Sequence, residues 1–261
     1  MKIQAKKWNP QVFLELACYL LFVCSTIWFL ASQKYLSYVT PKMFPYLIFA
    51  VVVLLLWSVV SCGRLFRPQY KIKVMHCLIL LIPTALILFL PQNIMNSTDI
   101  SGNYAGGNAM GATMQTQSQT NNSTGSAAEN TLELSGLDKK NKKIVVANND
   151  FSEWMSEIYN RMDEFQGYQI ELTGFVFTES DILNKNEFVP ARLMMTCCIA
   201  DLTPVGMRAE YDKVAELEES SWVTVQGVLE IHEGENFREP KLLVKNVKPA
   251  EAIEGYIYPN Y

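Results

Sequence analysis

The sequence predicts a membrane α-helical N-terminal part of about three transmembrane helices, followed by a C-terminal mainly-β (α+β) domain with the form of an OB-like barrel. Three observations carry this reading. Three long apolar stretches lie before residue 96. The charge divides sharply along the chain. From Met1 to Met95 nine basic residues accompany one acidic residue, a net of +8; from Lys143 to Tyr261 ten basic residues accompany 21 acidic ones, a net of −11. Finally, the acidic part alternates apolar and polar residues in several short runs. The whole-chain figures, 261 residues and a net charge of −4, average over two unlike objects.

The first apolar stretch runs from about Val12 to Ala31, with Glu15 its one charged residue. The second runs from Phe44 to Cys62 and contains AVVVLLLWSVV. The third runs from Val74 to Pro91 and contains Pro83. A helix needs about 20 residues to cross a hydrocarbon core of about 30 Å. The first two stretches meet that length, and the third does so if it extends to Met95. Pro83 kinks such a helix without forbidding it, because neighbouring helices can satisfy the freed carbonyl. A cleaved signal peptide is the competing reading of the first stretch. It is longer than a typical signal core, and no clean small-x-small site follows it.

Basic flanks set the orientation. Lys2, Lys6 and Lys7 precede the first stretch, and Arg64, Arg67, Lys71 and Lys73 follow the second. Only Lys34 and Lys42 lie between the first two, and no Lys or Arg occurs from the third stretch to Lys139. Basic loops stay cytoplasmic. Three spans therefore predict a multi-pass protein of the cell membrane, its N-terminus cytoplasmic and its C-terminal domain extracytoplasmic. If the third stretch only lies on the bilayer surface, the polar half is cytoplasmic instead.

The organisation that follows is a transmembrane part at 1–95, a flexible polar linker at 96–142 and a β domain at 143–261. Asn96 to Glu129 consists largely of Asn, Ser, Thr, Gln, Gly and Ala, too polar to offset the entropy of ordering. Leu132 to Lys143 reads as a more charged hinge.

Within the β domain, Ile144-Val145-Val146 reads as a short strand. Asp150 and Glu153 have capping-box spacing. Phe151, Trp154, Met155, Ile158, Tyr159, Met162 and Phe165 then recur on one helical face, the pattern of a core-facing helix. Strands follow at Ile170 to Val176, Phe188 to Ala200, Val205 to Tyr211, Val223 to Ile231 and Leu242 to Val247, with a short helix at Tyr211 to Ser221. Gly174 and Gly227 mark bends within strands. Five short strands with Gly bends point to the OB-like barrel.

Many such barrels bind nucleic acid, but that needs a basic groove. A net of −11 opposes phosphate binding, so nucleic acid is not an expected partner. The sequence holds no phosphate loop, no Ser/His/Asp order and no dinucleotide fingerprint. It is not expected to be an enzyme, and its many acidic residues read as a solvated surface.

The candidate site is the run Arg192-Leu-Met-Met-Thr-Cys197-Cys198-Ile-Ala-Asp201-Leu-Thr-Pro204-Val-Gly206. Three readings stay open. One Cys is core and the other incidental; or Cys197 and Cys198, with Asp201 or His232, hold zinc or another soft metal ion; or the thiols do redox chemistry. On a regular strand the two sulfurs would point to opposite faces, so a shared metal needs a bulge. No CxxC or HExxH completes a site.

The segments ELTGFVF, FVPARLMMTCCIADLTPVGM, SWVTVQGVL and YIYP resemble the C-terminal part of the YcgQ family of permease subunits. SYVTPKMFPYLIFA resembles that family's N-terminal membrane part. The resemblance implies a bacterial membrane protein acting beside a separate multi-span permease, with the lipid bilayer and that permease as partners. It does not name a solute.

Overall fold

A computed structural model describes residues 10–62, 75–89, 134–178, 183–234 and 238–259. The chain divides into two compact units, 1–93 and 94–261. The linker residues 96–133 lie outside the described residues.

Among its described residues the N-terminal unit holds three α-helices: α1 (Pro10–Ala31), α2 (Phe44–Cys62) and α3 (Met75–Phe89). Two of them, over Val12–Ala31 and Pro41–Cys62, are long and apolar enough to cross a membrane. The described part of α3, 15 residues at 1.5 Å each, spans about 22 Å. Pro83 lies within it. The third predicted span is an apolar helix over Met75–Phe89, and the residues that would extend it, Val74 and 90–95, lie outside the described residues.

Helix α1 packs against both α2 and α3. The connection to α2 is tight, with short 3₁₀ turns at Lys34–Ser37 and Pro41–Met43, and Tyr35 is buried there. Hydroxyls inside the apolar helices bond back to their own backbone. Ser25 and Thr26 donate to the Phe22 carbonyl and Ser58 donates to that of Leu54. This satisfies groups that hydrocarbon could not.

The C-terminal unit starts before residue 143. Residues 134–142, expected as a hinge, are folded. Strand β1 (Leu137–Asp138) pairs antiparallel with β2 (Lys143–Val145), and Leu134 and Leu137 pack on the core. Two apolar side chains and an Asp138 turn explain the correction: Asp138 Oδ1 accepts from the backbone N–H groups of Lys140 and Asn141.

Next come α4 (Phe151–Asn160) and a single further turn, α5 (Met162–Phe165). The predicted apolar stripe is real: Phe151, Trp154, Met155 and Ile158 are buried in the main core. The capping box is not. Asp150 makes no side-chain cap bond, because its carboxylate accepts from Ser135 instead.

The barrel strands are β3 (Gln169–Phe177), β4 (Glu187–Met194), β6 (Arg208–Glu210), β7 (Trp222–Glu233) and β8 (Arg238–Pro249), while the short β5 (Thr203–Val205) lies on β4. β3 pairs with both β4 and β7, β7 with β8, β8 with β6 and β6 with β4, so the ring closes. The β6–β8 pairing is parallel and the other four are antiparallel. This five-strand ring is the OB-like arrangement.

Two local expectations change. Val205 to Tyr211 is two strands, β5 and β6, split at Gly206 and Met207. A side chain at Gly206 would lie 2.7 Å from the Pro190 carbonyl oxygen, so the chain crosses β4 closely there. The helix expected at Tyr211 to Ser221 is a single 3₁₀ turn, Val214–Glu216. Its apolar residues Tyr211, Val214 and Leu217 are spaced by three, the 3₁₀ period, and Ser220 takes a left-handed φ of 64°.

Acidic residues are not all solvated. Glu187 and Glu239 are buried where β4, β6 and β8 meet. Lys241 Nζ lies 2.6 Å from Glu187 Oε1 and also pairs with Glu210. Arg208 Nη1 lies 3.1 Å from Glu239 Oε1, close enough for charge attraction though not aligned as a hydrogen bond. Asn184 donates twice to Glu187 Oε2, from its backbone and its side chain. Sequence alternation cannot show that these partners meet across three strands.

Candidate functional site

Strand β4 is buried on both faces. Its even positions Phe188 and Met194 belong to the barrel core. Its odd positions Val189, Ala191 and Leu193, with Met195 beyond the strand, belong to a second core on the outside of the barrel wall. Phe175 and Phe177 of β3, Tyr256 of the C-terminal tail, and the partly buried Ile199, Leu202 and Trp222 complete that second core. The tail is stitched down by backbone: Met195 N–H donates to the Ile257 carbonyl at 3.0 Å, and Ile257 N–H to that of Leu193 at 2.9 Å.

Between β4 and β5 the chain leaves the wall, and this excursion carries the thiols. The extended run predicted to reach Ala200 stops at Met194. Strand alternation therefore does not apply to Cys197 and Cys198, and their sulfurs lie 3.7 Å apart on the same side. A 3₁₀ turn, Ile199–Asp201, brings Asp201 back beneath them. Asp201 Oδ1 accepts from Thr196 N–H at 3.0 Å. Asp201 Oδ2 accepts from Cys197 N–H at 2.6 Å and Cys198 N–H at 3.3 Å. One carboxylate thus holds three consecutive backbone amides and fixes the loop.

The electrostatics follow from this contact. The Cys197 thiol donates to Asp201, and loss of its proton would set two negative charges side by side; its pKa is pushed up to about 12, with Cys198 adding to the effect. Partial burial pushes the Asp201 carboxyl up, but the Cys197 thiol and three backbone N–H donors outweigh it and hold the carboxyl below its ordinary value. Cys197 is exposed, and Cys198 and Asp201 are half-buried.

Donor atoms of Cys197, Cys198 and Asp201 all lie within 4.8 Å of one another. His232 does not join them. It sits on β7 opposite Glu239 of β8. The structure thus brings together three of the four predicted residues.

The first residue of the predicted run is given no role of its own by the sequence. Arg192 is buried on β4, its guanidinium 5.7 Å from the Phe151 ring and 5.6 Å from the Trp222 ring. Burial lowers its pKa from the ordinary value. Its even position, facing inward on a strand apolar on both sides, is the one signal that marks it.

The segments behind the family resemblance meet at this place. Phe175 and Phe177 come from ELTGFVF, the loop itself from RLMMTCCIADLTPVG, Trp222 from SWVTVQGVL, and Tyr256 from YIYP. Comparison with known proteins agrees with that resemblance. The DUF1980 N-terminal domain matches residues 14–106 and the DUF1980 C-terminal domain matches residues 120–259. A protein of Streptococcus mutans serotype c, named "Putative two-component membrane permease complex subunit", is 31% identical over 101 residues. That match spans 39% of this chain and 36% of the relative's length. The chain belongs to the DUF1980 family, carrying its N-terminal and C-terminal domains in that order.

Proposed function

We propose that the protein is an accessory subunit of a membrane permease: its helices sit in the bilayer beside a separate multi-span partner, and its barrel domain stands on the extracytoplasmic face to bind that partner or a small ligand. The observation that carries the reading is α2. Phe49, Leu56, Trp57, Val59 and Val60 are each at least 60% exposed on it, a surface suited to lipid or to other apolar helices. The name of the Streptococcus mutans relative supports a permease complex. The basic flanks support a cytoplasmic N-terminus. For the domain to be outside, α3 must complete its crossing through residues beyond Phe89. The role is non-enzymatic.

The test is purification of the tagged full chain from its own membranes in mild detergent. The expected result is a stoichiometric multi-span permease, identified by mass spectrometry. A chain that runs alone refutes the subunit reading. A C-terminal alkaline phosphatase fusion tests the orientation separately: activity is expected, since that enzyme folds outside the cytoplasm, and an inactive fusion on a stable chain refutes it.

A further inference from the structure

We infer that the loop from Thr196 to Asp201 is an open three-ligand site for a thiophilic divalent cation, zinc being the ion it fits, with Cys197 Sγ, Cys198 Sγ and an Asp201 carboxylate oxygen as ligands. The inference holds whether or not the chain assists a permease.

The geometry fits in three ways. With zinc–sulfur bonds of about 2.3 Å and a tetrahedral angle, two thiolates sit about 3.8 Å apart. The two sulfurs here are 3.7 Å apart. The carboxylate belongs to the same cluster, its oxygen within 4.8 Å of both sulfurs. Lastly, the loop is pre-organised. Asp201 grips the amides of Thr196, Cys197 and Cys198, while Ile199 and Leu202 pack into the second core below. Little ordering remains to oppose binding.

Binding replaces protons with metal. The ion sits among the two sulfurs and the carboxylate oxygen; both thiols release their protons to solvent, and two zinc–sulfur bonds form. Three protein ligands leave one tetrahedral position open. Structural zinc sites are closed by four protein ligands, whereas sites that exchange ligands keep a position free. Because Cys197 is exposed, that position faces outward, available to water or to a donor from another molecule. The site is therefore suited to holding and passing on an ion, not to stapling the fold. His232, paired across strands with Glu239, has no part in it.

Zinc titration of the full chain in mild detergent, under a non-chelating reductant and against a chromophoric chelator, tests this. The expected result is one zinc per chain with release of about two protons near neutral pH. Cys197→Ser and Cys198→Ser should each weaken binding by at least the roughly 100-fold that outer-shell changes can reach. His232→Ala should leave it unchanged. Cobalt(II) on the unmodified chain gives a second readout: a sulfur-to-metal charge-transfer band is expected and should vanish in the double Cys→Ser variant. That variant also controls for Cys18, Cys24, Cys62 and Cys77 in the membrane part. The inference is overturned if no such band forms, if the double variant binds zinc as the parent does, or if His232→Ala abolishes binding.

Discussion

Replacing Arg208 by Met is the sharpest test of how the barrel closes. Arg208 lies on β6, the three-residue strand that completes the ring between β4 and β8. Its side chain is 8% exposed, and its two carboxylate neighbours, Glu187 and Glu239, are 1% and 4% exposed. Met keeps most of the volume and removes the charge. Glu187 retains Lys241 and Asn184. Glu239 loses its closest cation. Removing one partner of a buried ion pair costs about 3–5 kcal/mol. Lys241 and His232 still attract the Glu239 carboxylate, so the low end, about 3 kcal/mol, is expected. Against a typical total stability of about 5–15 kcal/mol, that should lower the melting temperature by about 10 °C. The assay is thermal unfolding of the detergent-solubilised chain followed by near-ultraviolet circular dichroism. Burial already raises the Glu239 pKa, with Arg208 opposing it. The variant's defect should therefore shrink as the pH falls and Glu239 takes up a proton. Adding Glu239→Gln should recover part of the loss. A single variant within about 0.5 kcal/mol of the parent, or a double variant worse than the single, would show that the charge network does not hold β6 in place.

Gly174→Ala should destabilise the domain by about 1–3 kcal/mol or more, read as a shift in urea midpoint, because the new Cβ would lie 2.7 Å from the Ala191 carbonyl oxygen, where neither backbone can yield cheaply. Trp154→Ala should cost about 3–5 kcal/mol in the same assay, since Trp154 is 1% exposed and its indole N–H donates to the Ser135 carbonyl. Acidification should also weaken the domain. Asp201, Glu171 and Glu187 have folded pKa values below their ordinary ones, so the stability they contribute is complete above the ordinary carboxylate range and fades as the pH falls through it. Glu239, shifted upward, runs the other way, so a titration of melting temperature should still show net loss below about pH 4.

What the sequence could show depended on range. The α4 stripe was legible because the contacts that bury Phe151, Trp154, Met155 and Ile158 all impose one local period. The β7 alternation was legible for the same reason, and its irregularity at Gln226 and Gly227 coincides with the glycine that marks it. Closure was not legible as pairing. The parallel β6–β8 contact joins Arg208 to Lys241, and neither residue's neighbours announce it. The buried ions were missed for this reason: each carboxylate sits on a strand whose pattern allows it to face solvent. The candidate site was half legible. Cys197, Cys198 and Asp201 stood out by composition, but the strand reading separated the sulfurs, because nothing in the run announces that β4 stops at Met194, where Ile257 of the distant tail bridges to it.

That bridge to the tail gives a last prediction. The outer faces of β3 and β4 carry Phe175, Phe177, Val189, Ala191 and Leu193, which a bare barrel would leave in water. Tyr256, 8% exposed, covers them, and Ile257 bridges the end of β4, accepting from the Met195 N–H and donating to the Leu193 carbonyl. Tyr256→Ala removes much of the cover while leaving the barrel core of Ile170, Leu172 and Val225 intact. Truncating a buried aromatic costs about 3–5 kcal/mol when the loss is global. Here it should be spent locally, by releasing the tail. Hydrogen exchange distinguishes the two cases. The Met195 amide, losing its acceptor, should exchange much faster, whereas amides between β3 and β7, such as Val225 opposite Leu172, should keep their protection. If all these amides accelerate together, the tail belongs to the barrel's own cooperative unit. If Met195 does not change, the Cys197–Cys198 loop is anchored by Asp201 and its own turn alone, and the tail has no part in shaping the site.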